Sequence, residues 1–218
     1  MIEVNEMKTI EIRSQSLKPG SKIAPITESS RDAVLAKAAE LAKDSSIDAV
    51  EWRIDEYENV FEIRFVIMPG MIKEVRQALG DKIFMYTFRD KRMGGAHPAT
   101  CMYVTRLNDL ASAPGLADLV TVEWYAEPDA AAANVGNIHA AGKLAVASWC
   151  AQGEVGREDI VRKLESMCEG GADLLEYVVK PEYAAELDAA VAAFKVRNPE
   201  TLVIRSIISE NGEEKTVC

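Results

Sequence analysis

The sequence predicts an α/β protein of the TIM-type (β/α)8 barrel class, and three observations predict it. Strand-like and helix-like segments alternate from residue 21 to residue 208, which is the pattern of parallel strands joined by right-handed crossovers. Several of the strand segments are apolar on both faces, as strands buried between helices are. No glycine-rich phosphate loop follows the first strand, which weighs against the alternative of a doubly wound open sheet. Seven strands are clear after an N-terminal one. A complete barrel has eight and runs to about 250 residues, so the 218 residues here predict a barrel that stops after its seventh strand.

The elements follow in order. MKTIEIR (7–13) alternates apolar and polar residues as a half-buried strand does. After the turn pair Pro19-Gly20, SKIAPIT (21–27) is a strand. SSRDAVLAKAAELAKDSS is a helix with serine at its start and an Ala/Leu stripe at helical spacing. IDAVEWRID (47–55) is a strand, and MIKEVRQALG (71–80) a helix closed by Gly80. KIFMYTFR (82–89) is a strand, and a helix covers about 100–112. DLVTVEWY (118–125), KLAVASWC (143–150), ADLLEYVV (172–179) and TLVIRSII (201–208) are strands. Between them, 129–142, 157–171 and 181–198 are helices, the last with Pro181 at its first position. SENGEEKTVC (209–218) is polar and reads as a loose tail on one domain spanning 1–218.

Composition narrows the function. Hydrophobic residues make up 48%, and 35 acidic residues against 25 Lys and Arg give a net charge of −10. That sign disfavours nucleic acid and anionic membranes as partners, although a pocket can still hold a local arginine for a small anion. The N-terminus lacks the apolar stretch of a signal peptide, and no apolar run approaches the roughly 18 residues of a spanning helix. Cys101, Cys150, Cys168 and Cys218 are widely spaced with no CxxC pair, so free thiols in a reducing cytoplasm are expected. With two histidines, no metal site is expected, and no cofactor is predicted.

Six segments carry a family resemblance. VEWRIDEYENV (50–60) and YTFRDKRMGG (86–95) resemble the second- and third-strand signatures of the type I 3-dehydroquinate dehydratases. ADLVTVEW (117–124), GADLLEYVVKP (171–181) and TLVIRSII are similar to that family's fourth, sixth and seventh strands, and KTIEIR to its leading strand. The order and spacing agree as far as about residue 209. The resemblance implies a barrel enzyme that removes water from 3-dehydroquinate through a Schiff base on a strand-six lysine. A strand-five histidine moves protons and a glutamate after strand three orients it; an iminium acidifies the neighbouring carbon and a base near neutral pKa takes the proton. This sequence departs at all three positions. Met93 stands for the glutamate, Cys150 for the histidine and Glu176 for the lysine. The family's eighth strand, with its carboxylate-binding arginine and Ser/Gln lid, has no match; Lys215 is the nearest cation to that arginine.

What the resemblance leaves of a pocket is Glu51, Arg53 and Arg89, the candidate substrate-binding residues. Glu51 and Arg53 are two apart and share a strand face, and Arg89 ends the next strand at the face where barrel sites sit. Two guanidiniums beside a carboxylate suit a small hydroxylated carboxylate; a buried Glu–Arg–Arg network pinning the strand ends is an equal alternative. Glu123 is expected to face inward and pair with an arginine, and Glu176 to neutralise the pocket. Lys180, Cys150 and His97 are candidates for displaced chemistry, each with a plainer alternative: a solvated lysine, a small apolar filler and an exposed loop histidine. His139 is expected at the surface, and Trp52, Trp124 and Trp149 outside the barrel under helices.

Three readings follow. The first is a family member without the Schiff-base reaction that keeps part of a pocket for a small hydroxy acid. The second is an active lyase with relocated residues. The third is an interaction protein in which a homodimer covers the strand edges left by a missing eighth strand. The first is preferred.

Overall fold

A computed structural model describes residues 8–61, 68–125 and 128–218. Eight strands form a closed barrel: β3 (Lys22–Ile26), β4 (Ala49–Arg53), β5 (Ile83–Thr87), β6 (Leu119–Glu123), β7 (Leu144–Cys150), β8 (Leu174–Val179), β9 (Leu202–Ser209) and β10 (Gly212–Val217). The first seven are parallel, and helices α1 (Arg31–Leu41), α2 (Met68–Leu79), α3 (Cys101–Ala111), α4 (Pro128–Ala140), α5 (Arg157–Glu169) and α6 (Ala184–Arg197) lie between them in the chain. Each of the seven predicted strands and six helices is present, within a few residues of its expected ends.

Two expectations are corrected. The last ten residues are not a loose tail. The turn at Glu210-Asn211 reverses the chain into β10, which runs antiparallel to both β9 and β3 and supplies the eighth stave. Asn-Gly beside an alternating segment is a strong hairpin signal, and Gly212 takes a φ of 114° that only glycine adopts readily. The barrel is therefore complete, and the open strand edges from which a dimer was inferred do not exist. At the other end, the predicted single strand is a hairpin, β1 (Ile10–Ile12) with β2 (Gln15–Leu17); residue 7 of that prediction lies outside the described residues.

The hairpin closes the barrel floor. Ile12 and Leu17 join Ile23, Ala49, Ile83, Met85, Leu119, Val146, Leu174, Leu202, Ile204 and Val217 in one apolar plug. Arg13 at its turn hydrogen-bonds Asp118 through Nε (3.0 Å) and Nη2 (2.8 Å) and the Lys82 carbonyl (2.9 Å). Outward residues of the strands pack under the helices, and Trp52, Trp124 and partly buried Trp149 lie there as expected. Side chains alternate across a strand, so the residues that continue inward above the plug are Glu51, Arg53, Thr87, Thr121, Ser148, Glu176, Ser206, Glu213 and Lys215. The core is apolar at the floor and charged towards the mouth.

Candidate functional site

The charged layer is built from the upper ends of β4, β8 and β10 and from the residue two beyond β5. Lys215 is fully buried. Its Nζ donates to Glu176 Oε1 at 2.6 Å and lies 2.6 Å from Glu51 Oε2 and 3.3 Å from Glu213 Oε1. The Glu51 contact is a close ion pair outside hydrogen-bond alignment, and Glu51 accepts no hydrogen bond among the described residues. Glu176 accepts three hydrogen bonds. Its Oε2 accepts from Ser148 on β7 (2.5 Å), and its Oε1 from Ser206 on β9 (2.9 Å) as well as from Lys215. At the rim, Arg89 forks onto Glu213 with bonds of 3.1 and 3.0 Å, and Arg53 reaches the same carboxylate at 3.3 Å. Arg53 also clasps Asp55 at 2.9 and 2.8 Å. Asp55 accepts from the backbone N–H of Arg89 and Ala96, which ties the β4 end to the loop after β5.

Four carboxylates (Glu51, Asp55, Glu176, Glu213) thus meet three cations (Arg53, Arg89, Lys215) out of water. Burial alone would neutralise all of them. For Lys215 burial favours the neutral amine, but Glu176, Glu213 and Glu51 outweigh it and hold the ammonium above the usual lysine value. Burial likewise pushes Glu213 up, and Lys215, Arg89 and Arg53 bring it well below the usual carboxylate range. Glu176 is also lowered, by Lys215 and Arg89 against burial. Lys215, Glu213 and Glu176 thus hold one another in their charged forms.

The predicted binding residues Glu51, Arg53 and Arg89 do come together, and Glu176 sits among them as expected. Two partners were missed, Asp55 and Glu213, and Lys215 was placed in a structureless tail. The signal for the last two was present in Glu213-x-Lys215-x-Val217, which keeps the two-residue period of a strand after the turn pair Asn211-Gly212. It is hidden by polarity, since three charges in four residues look like surface. Lys215 brings an amine into the cup, from β10 and not from the strand for which the resemblance implies one.

None of the three candidates for displaced chemistry makes a described hydrogen bond or ion pair to the cluster, although Cys150 lies near enough to feel the charges of Arg89, Glu213, Glu176 and Arg53. Lys180 follows β8 at the exposed start of the turn at Pro181–Tyr183. His97 sits half-buried in the loop after β5, with its ring edge-on to Phe61 at 5.3 Å and its carbonyl accepting from Lys91 N–H. Cys150 is buried in a small apolar cluster with Met93 and Val178, its Sγ accepts from Gln152 Nε2 at 3.4 Å, and burial raises its thiol pKa. The positions for which the resemblance implies a histidine and its orienting glutamate thus belong to one apolar cluster. Glu123 faces inward but does not pair with an arginine. It accepts the Asp90 N–H at 2.8 Å, and burial lifts its pKa to about 8. His139 is exposed and bonds Asp173 at 2.8 Å. Among the described residues, no group of three or more His, Cys, Asp or Glu could hold a metal ion.

Fold and charged layer together define a class: a (β/α)8 barrel whose strand ends carry a buried cluster of arginines, carboxylates and one lysine. The family model for type I 3-dehydroquinase matches residues 23–212, and the chain belongs to that family. The chain is 33% identical over 154 residues to the 3-dehydroquinate dehydratase of Syntrophotalea carbinolica, a match covering 70% of this chain and 60% of that enzyme. It is 27% identical over 212 residues to the Salmonella agona enzyme, covering 94% and 83%. Among solved structures, the Clostridium difficile type I 3-dehydroquinate dehydratase with covalently modified comenic acid superposes with a TM-score of 0.83 at 25% identity, over 94% of this chain and 83% of that one. The Enterococcus faecalis enzyme gives 0.78 at 25% identity, over 93% and 84%.

Proposed function

We propose that this chain is a type I 3-dehydroquinase family member that does not run the Schiff-base dehydratase reaction and whose cup for a small hydroxylated carboxylate is held shut by its own β10. The observation that carries this reading is the pairing of Glu176 with Lys215. An imine needs a neutral amine as nucleophile. Glu176 occupies the position for which the resemblance implies that amine, and a carboxylate cannot form an imine. The Met93–Cys150 contact supports the same reading, because it offers no base of suitable pKa for the proton next to an iminium. The four unpaired cysteines fit a cytoplasmic setting, and no helix among the described residues is long and apolar enough to cross a membrane.

One observation favours an active lyase instead: Lys215 brings an amine into the cup beside Arg89. For it to serve, an ammonium flanked by three carboxylates has to lose its proton in a dry cluster, against the direction in which those carboxylates hold it. Purified protein assayed for dehydration of 3-dehydroquinate, with borohydride trapping read by intact mass, separates the two readings. We expect no turnover and no adduct. An adduct mapped to Lys215 would establish the lyase and end the present proposal.

A further inference from the structure

The end of β10 that carries Glu213 is held on one side only. Along β9 the strand pairs throughout, from Gly212 opposite Ser209 to Val217 opposite Ile204. Against β3 it pairs only at Lys215 and Thr216. Glu213 lies two residues short of that double-sided stretch. It follows an exposed tip, Ser209–Gly212, with a glycine at the bend. Besides the β9 ladder, the Glu213 end is fixed in the barrel by its carboxylate, through three hydrogen bonds of 3.0–3.3 Å to Arg89 and Arg53 and a 3.3 Å ion pair with Lys215.

That arrangement is the chemistry of a bound anion. Arg89 presents its planar fork to both carboxylate oxygens, the geometry by which arginine selects carboxylates over point acceptors. Both arginines are buried and pre-positioned: Arg53 by Asp55, and Arg89 by the hydrogen bond from its own backbone N–H to Asp55. Nothing in this contact depends on the carboxylate being covalently attached to the chain. We propose that Arg53 and Arg89 form a carboxylate-binding subsite whose resident occupant is the Glu213 side chain, and that a small hydroxylated carboxylate from solution competes with it and frees the Glu213 end of β10. Exchange of one carboxylate for another leaves the buried charge balance unchanged, so neither arginine is left bare at any stage. The tether gives Glu213 a high effective concentration, in the millimolar range for short flexible links, so wild-type protein responds only to carboxylate well above that. This inference rests on the reading that the cup is closed by its own strand, and it deepens that reading by naming the side chain that closes it and what displaces that side chain.

The test uses acetate and glycolate as probes, with chloride at matched ionic strength. In Glu213→Ala, both carboxylates should raise the thermal midpoint saturably while chloride does not, with half-saturation at least about tenfold lower than any response of the wild type. Adding Arg89→Met should abolish the saturable part. In wild-type protein, high glycolate should speed amide hydrogen exchange at 212–214 and leave 216–218 unchanged. If Glu213→Ala does not fold, Glu213→Gln keeps the volume without the charge and serves in its place. An equal response of the variant to acetate and chloride overturns the proposal, as does a wild type that responds as readily as the variant. Exchange at 212–214 that ignores glycolate also overturns it. Borohydride trapping bears only on the dehydratase reading and carboxylate competition only on this one, so their failures are separable.

Discussion

Lys215→Met tests whether the buried ammonium holds the barrel together. Methionine keeps the stem volume and removes the charge. The substitution strips Glu176 Oε1 of its 2.6 Å donor and leaves Glu51 and Glu176 facing each other with no cation between them. Removing one partner from a buried ion pair costs about 3–5 kcal/mol, because the remaining charge stays desolvated. Total stabilities run to about 5–15 kcal/mol, so this is a large fraction. At roughly 2–4 °C per kcal/mol for a chain of this size, the thermal midpoint should fall by about 6–20 °C. The assay is denaturant unfolding of the wild type, Lys215→Met, Glu176→Gln and the double variant. If the electrostatic account is right, the double variant recovers stability relative to Lys215→Met, with a coupling of about 0.5–3 kcal/mol. A Lys215→Met protein within about 1 kcal/mol of wild type, or an additive double variant, would refute it.

Four further outcomes are expected. Glu176 and Glu213 are held below the usual carboxylate value of 4.5 when folded, so they bind fewer protons folded than unfolded. The stability they contribute is complete above about pH 5 and lost as pH falls through their folded values; an acid unfolding series should show a shallower acid limb in Glu213→Gln. Glu123 has the opposite sign. Its folded value of about 8 lies above the ordinary 4.5, so the folded state keeps a proton that the unfolded state gives up, and stability declines as pH rises from about 5 to 8. Glu123→Gln should flatten that decline, and an unchanged slope would put the decline elsewhere. Gly95→Ala should unfold the mouth, since a Cβ there would fall on the Arg89 carbonyl and within 2.9 Å of Asp55 Oδ2; soluble protein with a wild-type midpoint would contradict this. Asp118→Ala removes the acceptor shared by Arg13, Arg76 and the Phe84 N–H. It should expose residues 8–20 to limited proteolysis while β3 and later strands stay protected.

Most of the fold was legible because its signals are local. Alternating apolar segments, Gly80 and Pro181 each act within a few residues, so seven strands and six helices emerge from reading along the chain. The closure was not legible, because it depends on what the eighth stave has to satisfy. Glu213 and Lys215 are inside only because Arg89, Arg53, Glu51 and Glu176 are already there to receive them. A sequence window holding Glu-Glu-Lys and no apolar residue before Val217 gives no sign of those partners. Parity placed Glu51 and Arg53 correctly, and likewise the three tryptophans on the opposite face. It failed for the partner of Glu123, since a residue at a strand end can lean onto a neighbouring backbone donor instead of pointing down the barrel.

The replaced positions are also not independent of one another. Glu176 at the expected lysine position leaves a buried anion, and Lys215 on β10 neutralises it. Arg53 is paired with Asp55, but Arg89 without a bound acid would lack a side-chain hydrogen-bond partner for its guanidinium, and Glu213 on the same strand supplies it. Met93 and Cys150 would each leave a polar partner stranded if only one had changed; together with Val178 they form an apolar contact that needs no partner. A site decaying position by position would show buried groups lacking their counterparts, each costing about 1–3 kcal/mol. Here the anion at 176 and the two arginines are answered from β10. Glu51, which accepts no hydrogen bond, is still answered by the 2.6 Å ion pair with Lys215. Reversal therefore has to be concerted. Glu176→Lys alone sets a second ammonium against Lys215 and Arg89 with Glu213 still in the cup, so it should destabilise the protein without creating a dehydratase. An ordinary folded Glu176→Lys enzyme with measurable turnover would show that β10 is no obstacle to chemistry in this barrel.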